Sequence, residues 1–353
     1  MIAPRDCFSY ELPPDRIAQR PVHPYDHAKM LVIKRGTSEF QDSTFSSFAE
    51  LVEAGDLVIF NNSRVIPARL FGSVAGRTGE VELLLLREIK TDRWLALGRP
   101  RKKLSPGVEV DFGGSLQATV VEHRGDMELV VELRATSKDT SVKAAITNLG
   151  TMPVPPYIRG GKSDAQDRQD YQTMFAEIDG SVAAPTASLH FTPQVVDQIR
   201  ARGAEVSFVT LHVGAASFLP LWREEQQTQA QLTPPGAERA VYSRNLMSSL
   251  DATKKRGRKV FAVGTTVVRA LETFVRNREA LDGLPFDTTL FITPGFEWRA
   301  VDVLVTIFHQ PHTTHLLLVE SFLGRALLSA AYSHALKSHY RFLSYGDGMV
   351  IVP

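Results

Sequence analysis

A glycine-punctuated run of short β-type segments constrains the fold of this chain more than any other feature of its sequence. Between about Phe71 and Leu133, apolar and β-branched residues recur in short runs. The runs are VELLLL, WLALG, VEVDF, LQATVVE and MELVVEL, and the glycines between and around them are Gly76, Gly79, Gly107, Gly113, Gly114 and Gly125. Closely spaced strands with glycine turns are typical of a small sheet or barrel. The sequence therefore predicts a small sheet or barrel here.

The segments on either side of this run have a mixed pattern. Strand-like DLVIF and VIPARLF precede it, and helical and strand patterns alternate after Met152. A β-rich block inside an α/β pattern indicates an insertion. We therefore predict a mixed α/β (α+β) chain in which residues 1–70 and 152–353 form the main domain and residues 71–151 form an inserted β-rich domain, a small sheet or a barrel.

The second half of the chain predicts alternating helices and strands. Pro193–Arg202 and Leu246–Lys255 have helical patterns, and EVSFVTLHV reads as a strand that runs into the Gly214 turn. KVFAVG reads as a buried strand, followed by a helix over TVVRALETFVRNREAL that Thr265 or Thr266 caps. A strand, turn and helix in this order leave free backbone amides at the helix start, where anionic or polar ligand groups bind.

Two other segments complete this reading. The last helix is predicted at about Phe322–Lys337, where an apolar stripe indicates core packing. The Gln-rich polar stretch Arg223–Glu238 contains Pro234 and Pro235 and is predicted to be a mobile loop.

Composition and charge narrow the class of protein. The chain has 353 residues, 43% of them hydrophobic and 22% charged, which is typical of a soluble globular protein. No apolar run approaches the roughly 20 residues that a membrane-spanning helix needs, and the first residues do not resemble a signal peptide, so we expect a cytoplasmic protein. The single cysteine, Cys7, excludes an internal disulfide and paired-thiolate zinc sites. No heptad seam is evident, and a monomer is expected.

Net charge argues against a protein that coats nucleic acid. The formal charge is +1, yet a local basic surface is enough to hold a structured RNA. Two basic runs, Arg99–Lys103 and Lys254–Lys259, are either solvated loop or helix-end residues or contacts to RNA phosphates.

Four stretches carry polar residues that packing alone does not require. In FNNSRVIPARLFG, Arg64 and Arg69 suit carboxylate or phosphate groups through forked hydrogen bonds. In GSVAAPTASLHFT, small residues allow close backbone approach to a ligand, with His190 beyond them. In VTLHVGAASF, His212 ends a strand just before Gly214, and it is either a core histidine or a side chain presented to a cleft.

The fourth stretch, AVDVLVTIFHQPHTTHLLLVESF, is rich in histidine. His309, His312 and His315 follow one another at three-residue spacing, which invites a zinc interpretation. We reject a metal site because Pro311 interrupts any helix that would align the three side chains. The chain also lacks a phosphate-binding P-loop, a dinucleotide-binding glycine fingerprint and a Gly-x-Ser-x-Gly nucleophile elbow.

Long motifs spread over nearly the whole chain resemble one enzyme family. They are FSYELPPDRIAQRPVHPYDHAKMLVI, DLVIFNNSRVIPARLFG, PVPPYI, DRQDYQT, GSVAAPTASLHFT, VTLHVGAASF, VFAVGTTVVRALE, PGFEWRAVDVLVTIFHQP and YRFLSYGDGMVI. In this order they are similar to the S-adenosylmethionine:tRNA ribosyltransferase-isomerase family of queuosine biosynthesis. The resemblance implies a main mixed α/β, barrel-like domain with an inserted small β-barrel.

The resemblance also implies a reaction. S-adenosylmethionine is the co-substrate, and its ribosyl part is transferred to a 7-aminomethyl-7-deazaguanine at the wobble position of tRNA and isomerised to give epoxyqueuosine. Adenine and methionine are released, and no metal is required. Such chemistry needs a base for the acidic hydrogens beside the sulfonium and an acid for the departing adenine.

Site residues follow from the matching motifs. Histidines suit proton transfer near neutral pH, so the implied catalytic residues are His190, His212 and His309, with acid and base unassigned. The implied substrate-binding residues are Arg64, Arg69, Tyr157, Ala184, Pro185, Thr186, Gly214, Thr265, Thr266, Arg269, Glu272, Asp302, Tyr345 and Asp347. Among these, Asp302 and Asp347 are equally compatible with a structural role.

Several polar motif positions depart from the family pattern. Asn62 and Ser63 stand where the family has Asp-Thr, and residues 233–238 replace a His-x-Met-His-Ser-Glu motif so that Glu238 alone is kept. These changes leave two alternatives to the tRNA reaction. One is a divergent paralogue that uses S-adenosylmethionine with another acceptor, including a small molecule. The other is a noncatalytic RNA-binding protein.

Overall fold

The chain is divided into two compact units. The computed structural model describes residues 8–124, 128–214, 234–281 and 284–353. The larger unit comprises Met1–Ser63, Gln172–Ile178 and Ala184–Pro353, and the smaller one comprises Arg64–Tyr171 and Asp179–Ala183. The predicted insertion, residues 71–151, falls inside the first segment of the smaller unit.

The described secondary structure consists of strands, α-helices and short 3₁₀ helices. The strands are β1 (Lys29–Lys34), β2 (Phe40–Thr44), β3 (Leu57–Asn61), β4 (Ser63–Val65), β5 (Arg69–Val74), β6 (Val81–Lys90), β7 (Arg93–Arg99), β8 (Glu109–Asp111), β9 (Leu116–Arg124), β10 (Glu128–Ala135), β11 (Ile178–Ser181), β12 (Glu205–Leu211), β13 (Glu238–Tyr242), β14 (Val260–Val263), β15 (Phe286–Thr288), β16 (Val303–Ile307) and β17 (Gly348–Val352). The α-helices are α1 (Val142–Leu149), α2 (Asp167–Asp170), α3 (Pro193–Ala201), α4 (Arg244–Lys255), α5 (Thr265–Arg276), α6 (Arg278–Leu281), α7 (Thr314–Leu323) and α8 (Arg325–Lys337). The 3₁₀ helices are Pro14–Arg16, Tyr25–His27, Phe45–Leu51, Arg101–Lys103, Arg159–Gly161 and Thr186–His190.

A nine-stranded sheet organises the larger unit. Its order is β15-β13-β12-β3-β14-β16-β17-β1-β2. The neighbours β12, β3, β14 and β16 are parallel, so their carboxyl ends lie at one edge, which we call the carboxyl edge. Strand β17 is antiparallel to β16, with Gly348 opposite Ile307, and its first residue therefore lies at the same edge. Loops that follow four strands and precede a fifth meet there.

The central strands are apolar because both faces of the sheet are covered. Every residue of β3, β14 and β16 is buried, as expected for a parallel sheet between other layers. Aromatic rings form part of the packing on this sheet. Phe60 and Phe191 meet edge to face with centroids 4.8 Å apart, and Phe48 contacts Phe191 in the same way at 4.9 Å. Such pairs stabilise a core beyond the area they bury.

The smaller unit is a closed six-stranded barrel in the order β10-β7-β6-β5-β8-β9. Its core is lined by residues such as Leu83, Leu129 and Val131, and buried positions alternate with more accessible ones along β6, as in a barrel wall. A Cβ atom on Gly98 would lie 2.4 Å from Cδ1 of Leu129 and 2.5 Å from that of Leu104, so a larger residue at this position would require these leucine side chains to shift. The predicted mixed α/β fold with an inserted small β-barrel is confirmed. Among the described strands, the large sheet has two open edges and the closed barrel belongs to the smaller unit.

Most predicted elements of the second half are confirmed, with three differences. The helix predicted through Leu281 is divided at Asn277 into α5 and α6. Neither threonine caps α5, because Gly264 is its N-cap with φ of 101° and the helix begins at Thr265. The predicted last helix is two helices that meet at Gly324, where φ is 83°. Within the predicted loop at residues 223–238, residues 223–233 lie outside the described part of the chain, and Glu238 begins β13.

No single helix among the described residues has the length and apolar character needed to cross a membrane. The pair α7 and α8 reaches that length and composition only when taken together, and it is bent by 113°.

Candidate functional site

Asn61 joins three segments of the chain at the carboxyl edge. Its Nδ2 donates to the carbonyl oxygen of Leu211 at 2.9 Å and to Oγ1 of Thr266 at 3.4 Å. Its Oδ1 accepts from the backbone amide of Leu211 at 3.1 Å. A buried amide with its donors and acceptor used in this way fixes the ends of β3 and β12 and the start of α5 relative to one another.

The start of α5 presents polar backbone groups at this edge. The amide of Gly264 donates to the carbonyl of Val305 at 2.8 Å, which anchors the turn to β16. A Cβ atom on Gly264 would lie 3.7 Å from that of Ala187, so the small-residue segment containing Ala184, Pro185 and Thr186 runs past the helix start. Since amides of the first helical turn have no intrahelical acceptor, the helix start favours anionic or polar groups.

His212 has a ring nitrogen available at the end of β12. The residue is half-buried, and its backbone amide donates to the carbonyl of Arg239 at 2.9 Å. Nδ1 is buried and has no hydrogen-bond partner among the described residues. Burial, and then the charge of Arg239, lowers the pKa of His212, so its imidazole is neutral at pH 7. A neutral ring with an unpaired nitrogen is chemically suited to accept a proton.

His309 is held firmly just beyond the end of β16. Its Nε2 is 2.7 Å from Oγ1 of Thr306, and its backbone amide donates to the hydroxyl of Tyr332 at 2.9 Å. The His315 ring is stacked on it, with centroids 5.2 Å apart and planes at 14°. Burial, and then His315, holds the pKa of His309 well below its usual range. This imidazole is therefore neutral and fixed in orientation.

His190 differs because both of its ring nitrogens face backbone carbonyls. Nε2 is 2.9 Å from the oxygen of Gly346, and Nδ1 is 3.3 Å from that of Ala187. The ring is also stacked on Phe45 at 4.2 Å. Burial is the main cause that lowers the pKa of His190, so one tautomer of the neutral ring donates to Gly346. This arrangement lets His190 join two loops of the carboxyl edge.

A buried ion pair joins Arg269 on α5 to Glu238 at the start of β13. The other oxygen of Glu238 accepts from the amide of Gly214 at 3.2 Å. The Arg269 guanidinium also donates to the carbonyls of Thr288 at 3.2 Å and Leu290 at 3.1 Å. Most of its donors are therefore used inside the protein, and the pair links Gly214 to α5.

Glu272, also on α5, holds backbone amides. Its fully buried carboxylate accepts from the amides of Arg299 at 3.2 Å, Ala300 at 2.9 Å and Val301 at 3.3 Å, and it pairs with Arg276. These contacts satisfy a carboxylate completely and fix the segment that leads into β16.

The two aspartates lie in different places. Asp302 precedes β16, at the edge opposite the carboxyl edge, where it pairs with Lys254 at 2.7 Å and accepts from the amide of Val260 at 2.8 Å. Asp347 lies at the carboxyl edge and accepts from the amides of Lys29 at 3.0 Å and Arg341 at 2.7 Å. Both carboxylates therefore have structural partners.

Tyr345 is buried in the loop before β17. It lines a small recess together with Leu189, His190 and Gly346. The loop that carries Tyr345 is the one that His190 holds through Gly346.

Three predicted site residues belong to the smaller unit. Arg64 is half exposed and lies 3.6 Å from Asp179. Arg69 is buried, with Glu82 at 3.2 Å and the Val154 carbonyl at 3.3 Å. Burial lowers the pKa of Arg69, although the charge of Glu82 opposes this effect. Tyr157 is half-buried. Arg69 is thus engaged within its own unit, whereas the side chain of Arg64 is half exposed beside Asp179.

The family can be decided from the whole chain. A family model described as "Queuosine biosynthesis protein" matches residues 5–351. The chain belongs to the queuosine biosynthesis protein family. The predicted resemblance is therefore confirmed.

Close relatives in this family are similar over their full length. Two of them are named S-adenosylmethionine:tRNA ribosyltransferase-isomerase. The protein of Azorhizobium caulinodans is 40% identical, and the alignment covers 98% of this chain and 99% of that protein. The protein of Mesorhizobium japonicum is 41% identical, and the alignment covers 98% of this chain and 97% of that protein. A crystal structure described as an S-adenosylmethionine tRNA ribosyltransferase from Thermotoga maritima is 30% identical with a TM-score of 0.54, and 98% of this chain and 99% of that one are covered.

In this queuosine biosynthesis family member, the larger unit brings together most of the predicted site residues. The carboxyl edge gathers His190, His212, Gly214, Thr265, Thr266, Arg269, His309 and Asp347. The site also contains Asn61, Thr306 and His315, which the sequence did not indicate, although a polar residue at a strand end is a usable signal for the first two. Among the described residues, no group of three or more His, Cys, Asp or Glu side chains is placed to hold a metal ion.

Proposed function

We propose that this chain is an S-adenosylmethionine:tRNA ribosyltransferase-isomerase. It transfers the ribosyl part of S-adenosylmethionine to the 7-aminomethyl-7-deazaguanine wobble base of tRNA and isomerises it, giving epoxyqueuosine and releasing adenine and methionine. The observation that carries this proposal is the similarity to enzymes of that name at about 40% identity over 98% of the chain. The polar residues that converge at the carboxyl edge support it.

His212 is our candidate for the base. The hydrogens on carbon beside the sulfonium are the acidic ones, and removing one starts the chemistry at the ribose. A neutral imidazole with an unpaired, buried Nδ1 can take that proton without first breaking a hydrogen bond to the protein.

His309 is our candidate for the group that faces the departing adenine. Thr306 fixes one ring nitrogen, and His315 fixes the plane of the ring. Adenine leaves with a pair of electrons on nitrogen and needs a hydrogen-bond or proton donor there. His190 has both ring nitrogens against carbonyls, so for this predicted catalytic residue we favour a role in positioning the 346 loop.

The predicted binding residues differ in burial and in their partners. The amides and hydroxyls at Thr265 and Thr266 are suited to a carboxylate or sugar hydroxyl of S-adenosylmethionine. Arg64, with half of its side chain exposed, is suited to a tRNA phosphate. Arg269, Glu272 and Asp347 act by supporting the site, because each has partners within the larger unit. Arg69 has its partners within the smaller unit and Asp302 lies at the opposite edge of the sheet, so we assign structural roles to both.

The co-substrate, the partner, the location and the oligomeric state are also proposed. S-adenosylmethionine is a co-substrate that is consumed, tRNA is the partner, and the reaction proceeds without a metal. We propose that the protein is cytoplasmic, because both tRNA and S-adenosylmethionine are available there. We propose that it is a monomer, because no heptad seam is evident in its sequence.

The test measures adenine and methionine release. The protein is incubated with S-adenosylmethionine alone, with unmodified tRNA, and with tRNA that carries the aminomethyl-deazaguanine. We expect release only with the modified tRNA, together with a mass gain on that tRNA. Release that needs no modified tRNA would contradict the proposal.

A second acceptor deserves a test because of one position. Asn62 stands where the family pattern has a carboxylate, and its amide lies 3.1 Å from Oε2 of Glu177 and 2.6 Å from Oγ1 of Thr210. An amide in place of a charge alters what this end of β3 can bind. Release with small-molecule amines and not with tRNA would establish this alternative, and RNA binding without any release would indicate a noncatalytic protein.

A further inference from the structure

His315 lies in the first turn of α7, where it faces His309. Helix α7 begins after Thr313, whose hydroxyl accepts from the amide of Leu316 at 3.3 Å. This cap fixes the first turn, and the His315 ring then lies flat on His309, with centroids 5.2 Å apart and only 14° between the planes. Its ring nitrogens have no hydrogen-bond partner among the described residues. His315 thus contacts His309 by ring stacking rather than by a hydrogen bond.

The other contacts of His309 control different degrees of freedom. Thr306 holds Nε2 in the ring plane at 2.7 Å, and the hydroxyl of Tyr332 holds the backbone amide at 2.9 Å. The hydroxyl of Tyr10 donates to the carbonyl of the same residue. Of these contacts, only the hydrogen bond of Thr306 opposes rotation of the ring, and it acts through a single nitrogen, whereas a face-to-face neighbour opposes rotation over the whole ring. His315 supplies that contact.

Charges around the pair favour two neutral rings. Arg269 on α5 adds to the effect of burial and lowers the pKa of His315 to about 4. Glu238 on β13 pairs with Arg269, while Tyr332 on α8 and Tyr10 face His309. Burial raises the pKa of both tyrosines, so they stay uncharged at neutral pH. Neither imidazole therefore has a carboxylate partner that would hold a proton on it.

We propose that His315 is a positioning residue that holds the ring of His309 in one plane at the carboxyl edge, in the orientation used for a hydrogen bond to the leaving group. This inference deepens the proposed function and rests on it. His315 has this role through His309, without touching the substrate itself.

The test compares two substitutions of similar volume. His315→Phe keeps a flat ring without nitrogens, and His315→Leu removes the flat ring. We expect kcat for adenine release to stay within about threefold in the Phe variant and to fall about 10- to 100-fold in the Leu variant, because small misplacements of a reacting group cost that much. The KM for S-adenosylmethionine is expected to change little in both. His27→Phe, at an exposed histidine, is the matched control and should leave both parameters unchanged.

Three results would overturn the proposal. Equal losses in the Phe and Leu variants would mean that the nitrogens of His315 contact the substrate. Wild-type kcat in both would mean that the stack has no role. A loss in the Leu variant that is matched by a fall in melting temperature would mean that His315 acts only on stability.

A readout that does not need activity separates this inference from the proposed function. With ¹⁵N-labelled histidine, the signals of His309 are assigned from their loss in His309→Gln. We expect the pKa of His309 to rise in His315→Phe, because burial is kept while repulsion from His315 is lost. If the wild type releases no adenine but the pKa of His309 still rises in His315→Phe, the proposed function is refuted and the interaction between His309 and His315 is supported. An unchanged pKa of His309 in His315→Phe would refute that interaction.

Discussion

The three histidines of the carboxyl edge have different freedom to exchange a proton. His190 has carbonyl oxygens at 2.9 and 3.3 Å from its two nitrogens, His309 has one nitrogen near Thr306, and His212 has a buried nitrogen with no partner among the described residues. Burial is the first cause that lowers the pKa of each. Since all three are neutral at pH 7, hydrogen bonding rather than charge distinguishes their roles.

Replacing His212 tests the residue with the available nitrogen. His212→Asn should lower kcat for adenine release about 10²- to 10⁴-fold, the usual contribution of a general base. The KM for S-adenosylmethionine should change little, because the side chain acts on a proton. His190→Asn should instead lower the melting temperature, since it loses a contact to Gly346. A His212→Asn variant with wild-type kcat would exclude His212 as the base.

The buried imidazoles should make folding sensitive to mild acid. For His315, the pKa falls from 6.5 to about 4 on folding, so between these values the unfolded chain binds the proton that the folded chain does not. Stability is therefore full above pH 6.5 and is lost as the pH falls toward 4. At pH 5 this one group removes about 2 kcal/mol. Urea unfolding at pH 7 and pH 5 measures the loss, which should be smaller in His315→Phe. Equal pH dependence in the two proteins would contradict this assignment.

Helix α5 is the element that organises the site. Its N-terminal turn carries Thr265 and Thr266, its second turn carries Arg269, and Glu272 follows one turn later. The first turn thus offers groups that can bind a ligand, the second forms the ion pair with Glu238, and the third holds the segment that leads into β16.

Removing the support from this helix should destabilise the larger unit. Glu272→Ala leaves the amides of Arg299, Ala300 and Val301 without their acceptor and Arg276 without its partner, which costs about 3 kcal/mol. Thermal unfolding should show a melting temperature lower by several degrees. Glu297→Ala removes an exposed carboxylate that pairs with Arg299 and should leave the melting temperature unchanged. Similar values for the two variants would contradict the role of Glu272.

Much of the element arrangement is predictable from the sequence, whereas the partners of individual side chains are not. Alternation and glycine turns indicate the barrel, and the buried run at residues 260–263 followed by an amphipathic segment indicates β14 and α5. The cap of α5 is Gly264 because its φ of 101° is open to glycine, and the neighbouring threonines give no sign of this. Pro311 correctly argues against one helix through the three histidines, yet the same turn brings His315 back onto His309. Through-space contacts of this kind have no spacing rule.

At the scale of the molecule, the two units have separate cores. Leu83, Leu129 and Val131 belong to the barrel core, whereas Phe60, Phe261 and Val305 belong to the core of the large sheet. Each set of side chains consists of residues of its own unit. A substitution that destabilises one core should therefore first increase local unfolding in that unit.

Hydrogen exchange on two matched variants tests this separation. Val131→Ala and Val305→Ala each remove buried methyl groups, at a cost of about 2 kcal/mol. We expect faster amide exchange in β6, β7, β9 and β10 for the first variant and in β3, β14 and β16 for the second. Mass spectrometry of peptides resolves the two sets. Equal acceleration throughout the chain in both variants would mean that the units unfold together.

The smaller unit is built from two stretches of chain, because Asp179–Ala183 joins Arg64–Tyr171 in it. Val182, from the short second stretch, is completely buried in the barrel core. A deletion that removes only the long stretch would leave Val182 without the neighbours that cover it, and a barrel expressed from the long stretch alone would have a hole in its interior. Such interleaving makes the two parts difficult to gain or lose separately during evolution, and anyone who transplants the barrel must carry both pieces.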